Sequence, residues 1–182
     1  MRLFVAVDLP DEVKTRLERM RSDIPGAVWV KRHALHLTLQ FLGGDIPAAR
    51  LPDIRTALAG VAAAAFELAL DDVGRFPPNR RQPPRVLWVG FTRPAGLGAL
   101  YEQVTRATGA VGFAPDDRGF SPHVTLARLK RPDAAPQAEA FLVRHQGFRT
   151  APFPVRQFVL FSSLLTPEGS RYTQEGVYRL NG

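Results

Sequence analysis

The sequence contains no cysteine, so it can form neither a disulfide framework nor a thiolate-ligated metal site. It also lacks any apolar run close to the roughly 18 residues of a membrane-spanning helix, and no membrane partner is expected. The first nine residues carry a single basic side chain, Arg2, and lack the ordered regions of a signal peptide. Together these absences make a cytoplasmic location the default expectation.

Lysine is scarce as well, since only Lys14, Lys31 and Lys130 stand among 24 basic residues. Against 17 acidic residues the net charge is +7, and the sequence pI is about 10.7. Arginine suits bidentate contacts to phosphate and stacking on bases, so this excess favours a nucleic-acid partner. Genome composition would produce the same excess, and charge alone leaves both explanations open.

One tetrapeptide pattern occurs twice, as His36-Leu37-Thr38-Leu39 and as His123-Val124-Thr125-Leu126, with an offset of 87 residues. Each copy lies in an alternating apolar stretch, which predicts a β-strand. Residues two apart in a strand point to the same face, so each histidine shares a face with its threonine. The leucines and the valine then turn to the core, and the two His/Thr pairs are expected to face a common groove.

The surrounding elements repeat in the same order: strand, helix, His/Thr strand, helix, strand. Phe66 and Phe153 stand at the same offset of 87 residues in the last strand of each repeat. The prediction is one α+β domain, 1–182, with repeats over about 1–84 and 85–170 and a last strand over 172–180. Two lobes related by a pseudo-two-fold axis would line a central groove with mostly antiparallel sheets, with the helices outside. The protein is expected to be a monomer.

Two imidazoles facing one phosphodiester can divide the work of an in-line displacement. One takes a proton from the attacking water, and the other gives a proton to the leaving oxygen. Threonine hydroxyls can donate to the non-bridging phosphate oxygens. No carboxylate stands at metal-ligand spacing on either strand, so neither a metal nor a cofactor is expected. The sequence alone does not say which histidine is the acid, and His33 and His145 are interpreted as structural.

The stretches 36–43 (HLTLQFLG) and 121–128 (SPHVTLAR) resemble the paired motifs of the two-histidine (2H) phosphoesterases. The closer resemblance is to their RNA 2′,3′-cyclic phosphodiesterase branch, also called 2′-5′ RNA ligases. The opening 2–10 (RLFVAVDLP) and the stretch 160–172 resemble that branch too. The resemblance implies a bilobal α+β fold that binds RNA ending in a 2′,3′-cyclic phosphate. It also implies metal-independent hydrolysis to a 2′-phosphate, with 2′-5′ ligation as the reverse reaction.

The resemblance also implies a role for each motif residue. His36 would be the proton donor to the departing O3′, and His123 the proton acceptor that activates water. Thr38 and Thr125 would hold the phosphate, and Arg128 matches an arginine that contacts it. Strict alternation places Arg128 on the opposite face from His123, so a β-bulge or a strong twist after Ala127 is required.

Two other functions remain open at this stage. One is the same chemistry on a small cyclic nucleotide or an ADP-ribose cyclic phosphate. The other is a non-catalytic module that grips an RNA end. Phe41 could stack on a base, but its alternation with Leu37 and Leu39 predicts a core position. A proline-rich loop with several arginines, together with two cations before the first motif, either guides RNA or is simply solvated: Arg80, Arg81, Arg85, Lys31 and Arg32.

Overall fold

The computed structural model describes residues 1–92, 94–115, 117, 119–166 and 169–182. The loop predicted over 109–119 and the turn predicted over 166–170 therefore include positions outside the described residues, namely Asp116, Arg118, Pro167 and Glu168. The described residues form ten strands: β1 Arg2–Asp8, β2 Ala27–Trp29, β3 His36–Gly43, β4 Phe66–Leu68, β5 Leu70–Phe76, β6 Val86–Phe91, β7 His123–Leu129, β8 Phe153–Val155, β9 Gln157–Thr166 and β10 Gly169–Arg179. They also form four α-helices: α1 Asp11–Glu18, α2 Leu51–Ala59, α3 Ala95–Ala110 and α4 Ala135–His145.

The strands form two four-stranded sheets and one small sheet. The first sheet has the order β10-β9-β1-β3, and the second has the order β2-β7-β6-β5. Strands β4 and β8 make the small sheet, and all of these strand pairs are antiparallel. The predicted α+β class with antiparallel sheets is confirmed.

The pairing of β4 with β8 marks the pseudo-two-fold axis. Phe66 is opposite Val155, and Leu68 is opposite Phe153. An offset of 87 residues converts each of these pairs into the other, which places the axis at the middle of the small sheet. Beyond this crossing the repeats exchange strands, because β5 pairs with β6 in the second sheet whereas β9 pairs with β1 in the first.

The helices lie outside the sheets and share one core with them. Alternation along β1 turns Leu3, Val5 and Val7 into this core, together with apolar side chains from all four helices. Phe4 and Ala6 take the opposite face and pack with Val159, Phe161 and Tyr172 in a separate cluster. That opposite face lines the groove. Strand β1 therefore contributes one face to the core and the other face to the groove.

Candidate active site

The two His/Thr strands open onto one groove of about 610 Å³, a size typical of ligand sites. It is lined by both motif pairs and by cationic, aromatic and apolar side chains, which include His36, Thr38, His123, Thr125, Arg128, Arg2, Lys31, Phe41, Trp29 and Tyr172. The structure therefore brings all five residues singled out in the motifs to one place. Although the two copies are 87 residues apart in the chain, they are close in space because β3 and β7 meet across the pseudo-two-fold axis.

A β-bulge shifts the alternation in each motif strand. In β7 the register moves past Leu126, and Leu126 and Ala127 are both buried. Arg128 consequently returns to the face of His123 and lines the groove, so a bulge is present, but it lies at Leu126 and not after Ala127. In β3 the register moves past Leu39 in the same way, because Ala6 is opposite Thr38 and Val5 is opposite Gln40.

The bulge in β3 makes the core position predicted for Phe41 wrong. Its side chain is 47% exposed and lines the groove, because the extra residue reverses its parity relative to Leu37. Phe41 stands 87 residues before Arg128, so the two occupy matching places in the repeats. The guanidinium of Arg2 lies over the Phe41 ring at 4.4 Å from the centroid.

Both histidines are oriented by the same backbone contact. Nδ1–H of His36 donates to the carbonyl oxygen of Ala34 at 2.8 Å, and Nδ1–H of His123 donates to that of Ser121 at 2.7 Å. This tautomer leaves Nε2 as the nitrogen that can exchange a proton with a ligand. In the first copy the Thr38 hydroxyl donates to Nε2 of His36 at 3.0 Å.

The surroundings of the two rings differ. His36 lies among Phe4, Tyr172 and Phe161, with ring centroids at 4.8, 5.4 and 6.4 Å. Burial lowers its pKa from 6.5 to about 4, although the Ala34 carbonyl and Asp8 oppose this shift. Burial also lowers the pKa of His123, and nearby Arg128 lowers it further against the opposing Ser121 carbonyl. In the free protein both imidazoles are therefore largely neutral at pH 7.

Comparison of this sequence with protein-family models identifies its family. Residues 9–166 match the family model described as the 2′-5′ RNA ligase superfamily. The chain belongs to the 2′-5′ RNA ligase superfamily. The suggested two-histidine phosphoesterase relationship, drawn from the two motifs, is confirmed.

Among its curated relatives is an Archaeoglobus fulgidus protein named RNA 2′,3′-cyclic phosphodiesterase, 32% identical over 98% of this chain and 99% of the relative. A Geobacillus stearothermophilus protein of the same name is 37% identical over 87% of this chain. The matched part of this chain covers about half, 51%, of the length of that relative.

Solved structures of the superfamily share the fold. A Thermus thermophilus protein matches with a TM-score of 0.81 and 33% identity, over 100% of this chain and 99% of that chain. LigT of E. coli, crystallised with 3′-AMP, matches with a TM-score of 0.79 and 28% identity, over 100% and 98%. In both comparisons the similarity therefore extends over nearly the whole length of the two compared chains.

In this superfamily member the basic residues named from the sequence separate into two groups. Lys31 lines the groove, whereas Arg32 is turned away, with bonds to Thr15 and ion pairs to Asp11 and Glu18 on the first helix. The loop arginines do not line the groove. Arg80 forms an ion pair with Glu139. The buried Arg75 also pairs with Glu139, and it donates hydrogen bonds to three backbone carbonyls of the loop.

The sequence signal missed the groove residues that come from distant segments: Arg2, Phe4, Val28, Trp29, Leu165 and Tyr172. None of them stands in a repeated motif, so only the strand pairing brings them to the site. Outside it, His33 is exposed, and His145 packs on the Phe141 ring at 4.6 Å. Among the described residues no cluster of three or more His, Cys, Asp or Glu side chains could hold a metal ion. Within the same part of the chain, no helix is long and apolar enough to cross a membrane.

Proposed function

We propose that this protein hydrolyses 2′,3′-cyclic phosphate ends of RNA to 2′-phosphate ends. The observation that carries the proposal is the pair of Nδ1-anchored imidazoles, His36 and His123, on matching strands of one groove. The names of relatives such as the Archaeoglobus and Geobacillus proteins support the substrate class. The cationic lining of the groove suits the phosphate.

In the proposed reaction, Nε2 of His123 accepts a proton from a water molecule whose oxygen attacks phosphorus. The bond from phosphorus to O3′ breaks, and Nε2–H of protonated His36 donates a proton to O3′. The product carries the phosphate on O2′ and a free 3′-hydroxyl. Thr38, Thr125 and Arg128 donate to the non-bridging oxygens, where negative charge develops. If the 5′-hydroxyl of a second RNA attacked in place of water, the same proton transfers would form a 2′-5′ bond.

Proton transfer needs His36 protonated although burial lowers its pKa to about 4 in the free protein. A phosphodiester monoanion beside the ring favours the imidazolium and raises this pKa in the complex. The basic limb of kcat, which reports the complex, should therefore lie at higher pH than the basic limb of kcat/KM, which reports the free protein. Both profiles should be bell-shaped, because the other imidazole must be neutral.

Phe41 supplies an apolar face for the terminal base in this proposal. It is exposed on the groove, it takes the place in the first repeat that Arg128 takes in the second, and the guanidinium of Arg2 lies over one face of its ring. A base stacked on an aromatic ring gains about 1–3 kcal/mol without demanding a sequence. The groove would thus hold the phosphate on one rim and the base on the other.

The test uses a 5′-labelled RNA with a 2′,3′-cyclic phosphate end, incubated with the protein in EDTA. The expected product has its phosphate on O2′, which is identified by its resistance to enzymes that require a 3′-phosphate. His36→Asn and His123→Asn should each lose turnover, whereas His33→Asn should keep it. Tight binding of the RNA without turnover by the unaltered protein would contradict the proposal and favour an RNA-end-binding module.

A second candidate is hydrolysis of a small cyclic phosphate at the same groove. The groove volume of about 610 Å³ is in the range that encloses a single nucleotide. Equal or higher kcat/KM for a 2′,3′-cyclic mononucleotide than for a cyclic-phosphate-ended oligonucleotide would favour this candidate.

A further inference from the structure

Asp8 lies beside His36 on the groove face of the first sheet. The two residues are direct partners in the antiparallel pairing of β1 with β3, two places along from Ala6 and Thr38. Side chains of such partners lie on the same face, with Cβ atoms about 5 Å apart. At the matching place in the second sheet, His123 is opposite Gly90. One histidine therefore has a carboxylate neighbour and the other has none at that position.

Lys14, near the start of α1, forms an ion pair with this carboxylate. Its Nζ lies 2.6 Å from Oδ1 of Asp8, and its side chain is only 9% exposed. The backbone N–H of Leu9 donates to the same oxygen at 2.9 Å. The tight connection from β1 into α1 returns the lysine to the end of the strand, so the carboxylate is held in one place next to His36.

The structure assigns to Asp8, held by Lys14, the role of a positioning residue that stabilises the protonated form of His36. This inference rests on the proposed function, in which His36 is the proton donor. A carboxylate next to an imidazole favours the imidazolium, whereas His123 has Arg128 nearby, which disfavours it. The pair therefore offsets part of the burial effect that lowers the pKa of His36, and His123 has no such carboxylate at its matching position.

The second repeat has no room for a matching carboxylate. A Cβ built on Gly90 would lie 2.8 Å from the carbonyl oxygen of Asp71, closer than a side chain tolerates. The asymmetry is therefore part of the backbone packing of β5 against β6. It does not depend on the choice of a single side chain.

The other charged and titratable side chains that line the groove with His36 include no carboxylate: Arg2, Lys31, Arg128, His123 and Tyr172. Among the described residues that line the groove or act on His36, Asp8 supplies the only carboxylate. Its influence on the pKa of His36 follows burial and the Ala34 carbonyl in size, and it exceeds the opposing influence of Lys14.

The test separates electrostatics from folding, because two substitutions break the same ion pair and should act in opposite directions. Asp8→Asn removes the anion and should lower the pKa of His36, whereas Lys14→Met removes the cation and should raise it. Shifts of about half a pH unit or more are expected. They are read from imidazole nitrogen resonances of the full-length labelled protein during a pH titration, and from the basic limb of kcat.

The double variant should bring the pKa of His36 between those of the single variants and slightly below the original, because Asp8 has the larger influence, and Asp11→Asn is the matched control. Asp11 lies on the same helix and pairs with Arg32, so its loss should leave the titration unchanged. If Lys14→Met does not fold, Lys14→Gln removes the same charge with a polar side chain. Shifts in the same direction for both single variants, or none, would overturn the inference while wild-type turnover keeps the proposed function. An inactive wild-type protein would instead overturn the proposed function.

Discussion

The half-sites on β3 and β7 differ in where each strand lies within its sheet. Strand β3 is the edge of the first sheet, whose fourth strand, β10, adds to β9 at the far side. Strand β7 is interior, because β2 adds to it at the groove. Tyr172 of β10 reaches His36, whereas Val28 and Trp29 of β2 line the groove beside the second motif.

This difference shows how a duplicated fold can place like motifs in unlike surroundings. The bulges, the threonines and the backbone anchors of the imidazoles are repeated, and these features position the side chains. Aromatic rings pack against both imidazoles, since Phe76 and Trp88 lie near His123, but the Asp8 carboxylate and the Arg128 cation are not repeated, and these charges act on proton affinity in opposite directions. Geometry is shared between the halves, while electrostatics distinguishes them.

The strongest test of the comparison is loss of either imidazole. His36→Asn and His123→Asn should each lower kcat by about 1,000-fold or more, because each removes a proton-transfer group. The double variant should be little worse than either single variant, since the two act in one step. Turnover is measured on RNA with a cyclic phosphate end, and His145→Asn serves as the control. A single variant that keeps a tenth of the activity would show that the halves are not interdependent.

A second test compares the two histidines through folding stability. The unfolded chain binds a proton on His36 near pH 6.5, whereas the folded protein binds it only near pH 4. Stability should therefore fall as the pH drops through this window, by up to about 1.4 kcal/mol per pH unit from His36. His36→Asn should flatten the dependence, and His123→Asn should flatten it less, because His123 is less enclosed. Urea unfolding midpoints from pH 7 to pH 4 give the measurement, and equal slopes in all three proteins would contradict it.

A third test replaces Arg128, which the bulge in β7 turns to the groove. Arg128→Met should raise KM about 10- to 100-fold on every substrate, because it removes a phosphate contact of roughly 1–3 kcal/mol. It should also reduce the dependence of KM on salt. Arg19→Met, an exposed arginine on the surface beyond α1, should change neither quantity. A KM that stays within twofold would contradict a contact between Arg128 and the phosphate.

The smallest expected effect belongs to Phe41, the counterpart of Arg128. Phe41→Leu should raise KM by about fivefold or more for RNA with a terminal base, through loss of stacking. An RNA whose terminal nucleoside is abasic should be unaffected, and Arg128→Met should weaken both substrates alike. Equal effects of Phe41→Leu on the two substrates would mean that Phe41 only supports the strand.

Residue pattern determined much of this protein. The duplicated His/Thr pairs, the alternation that turns Leu37 and Val124 to the core, and the α+β order of elements are all local features. They follow from strand periodicity and from the offset of 87 residues between the repeats. They were sufficient to predict the antiparallel sheets, the groove and the four motif residues that line it.

Tertiary structure decided the rest. Whether Phe41 is in the core or in the groove depends on a bulge in the pairing of β1 with β3, and alternation within one strand cannot register an extra residue. The exchange of β5 and β9 between the repeats and the distance from Asp8 to its neighbours depend on contacts between segments far apart in the chain. The sequence therefore determined which groups could carry out the chemistry. The packing around those groups decided how each imidazole holds its proton, because burial and neighbouring charges act through space.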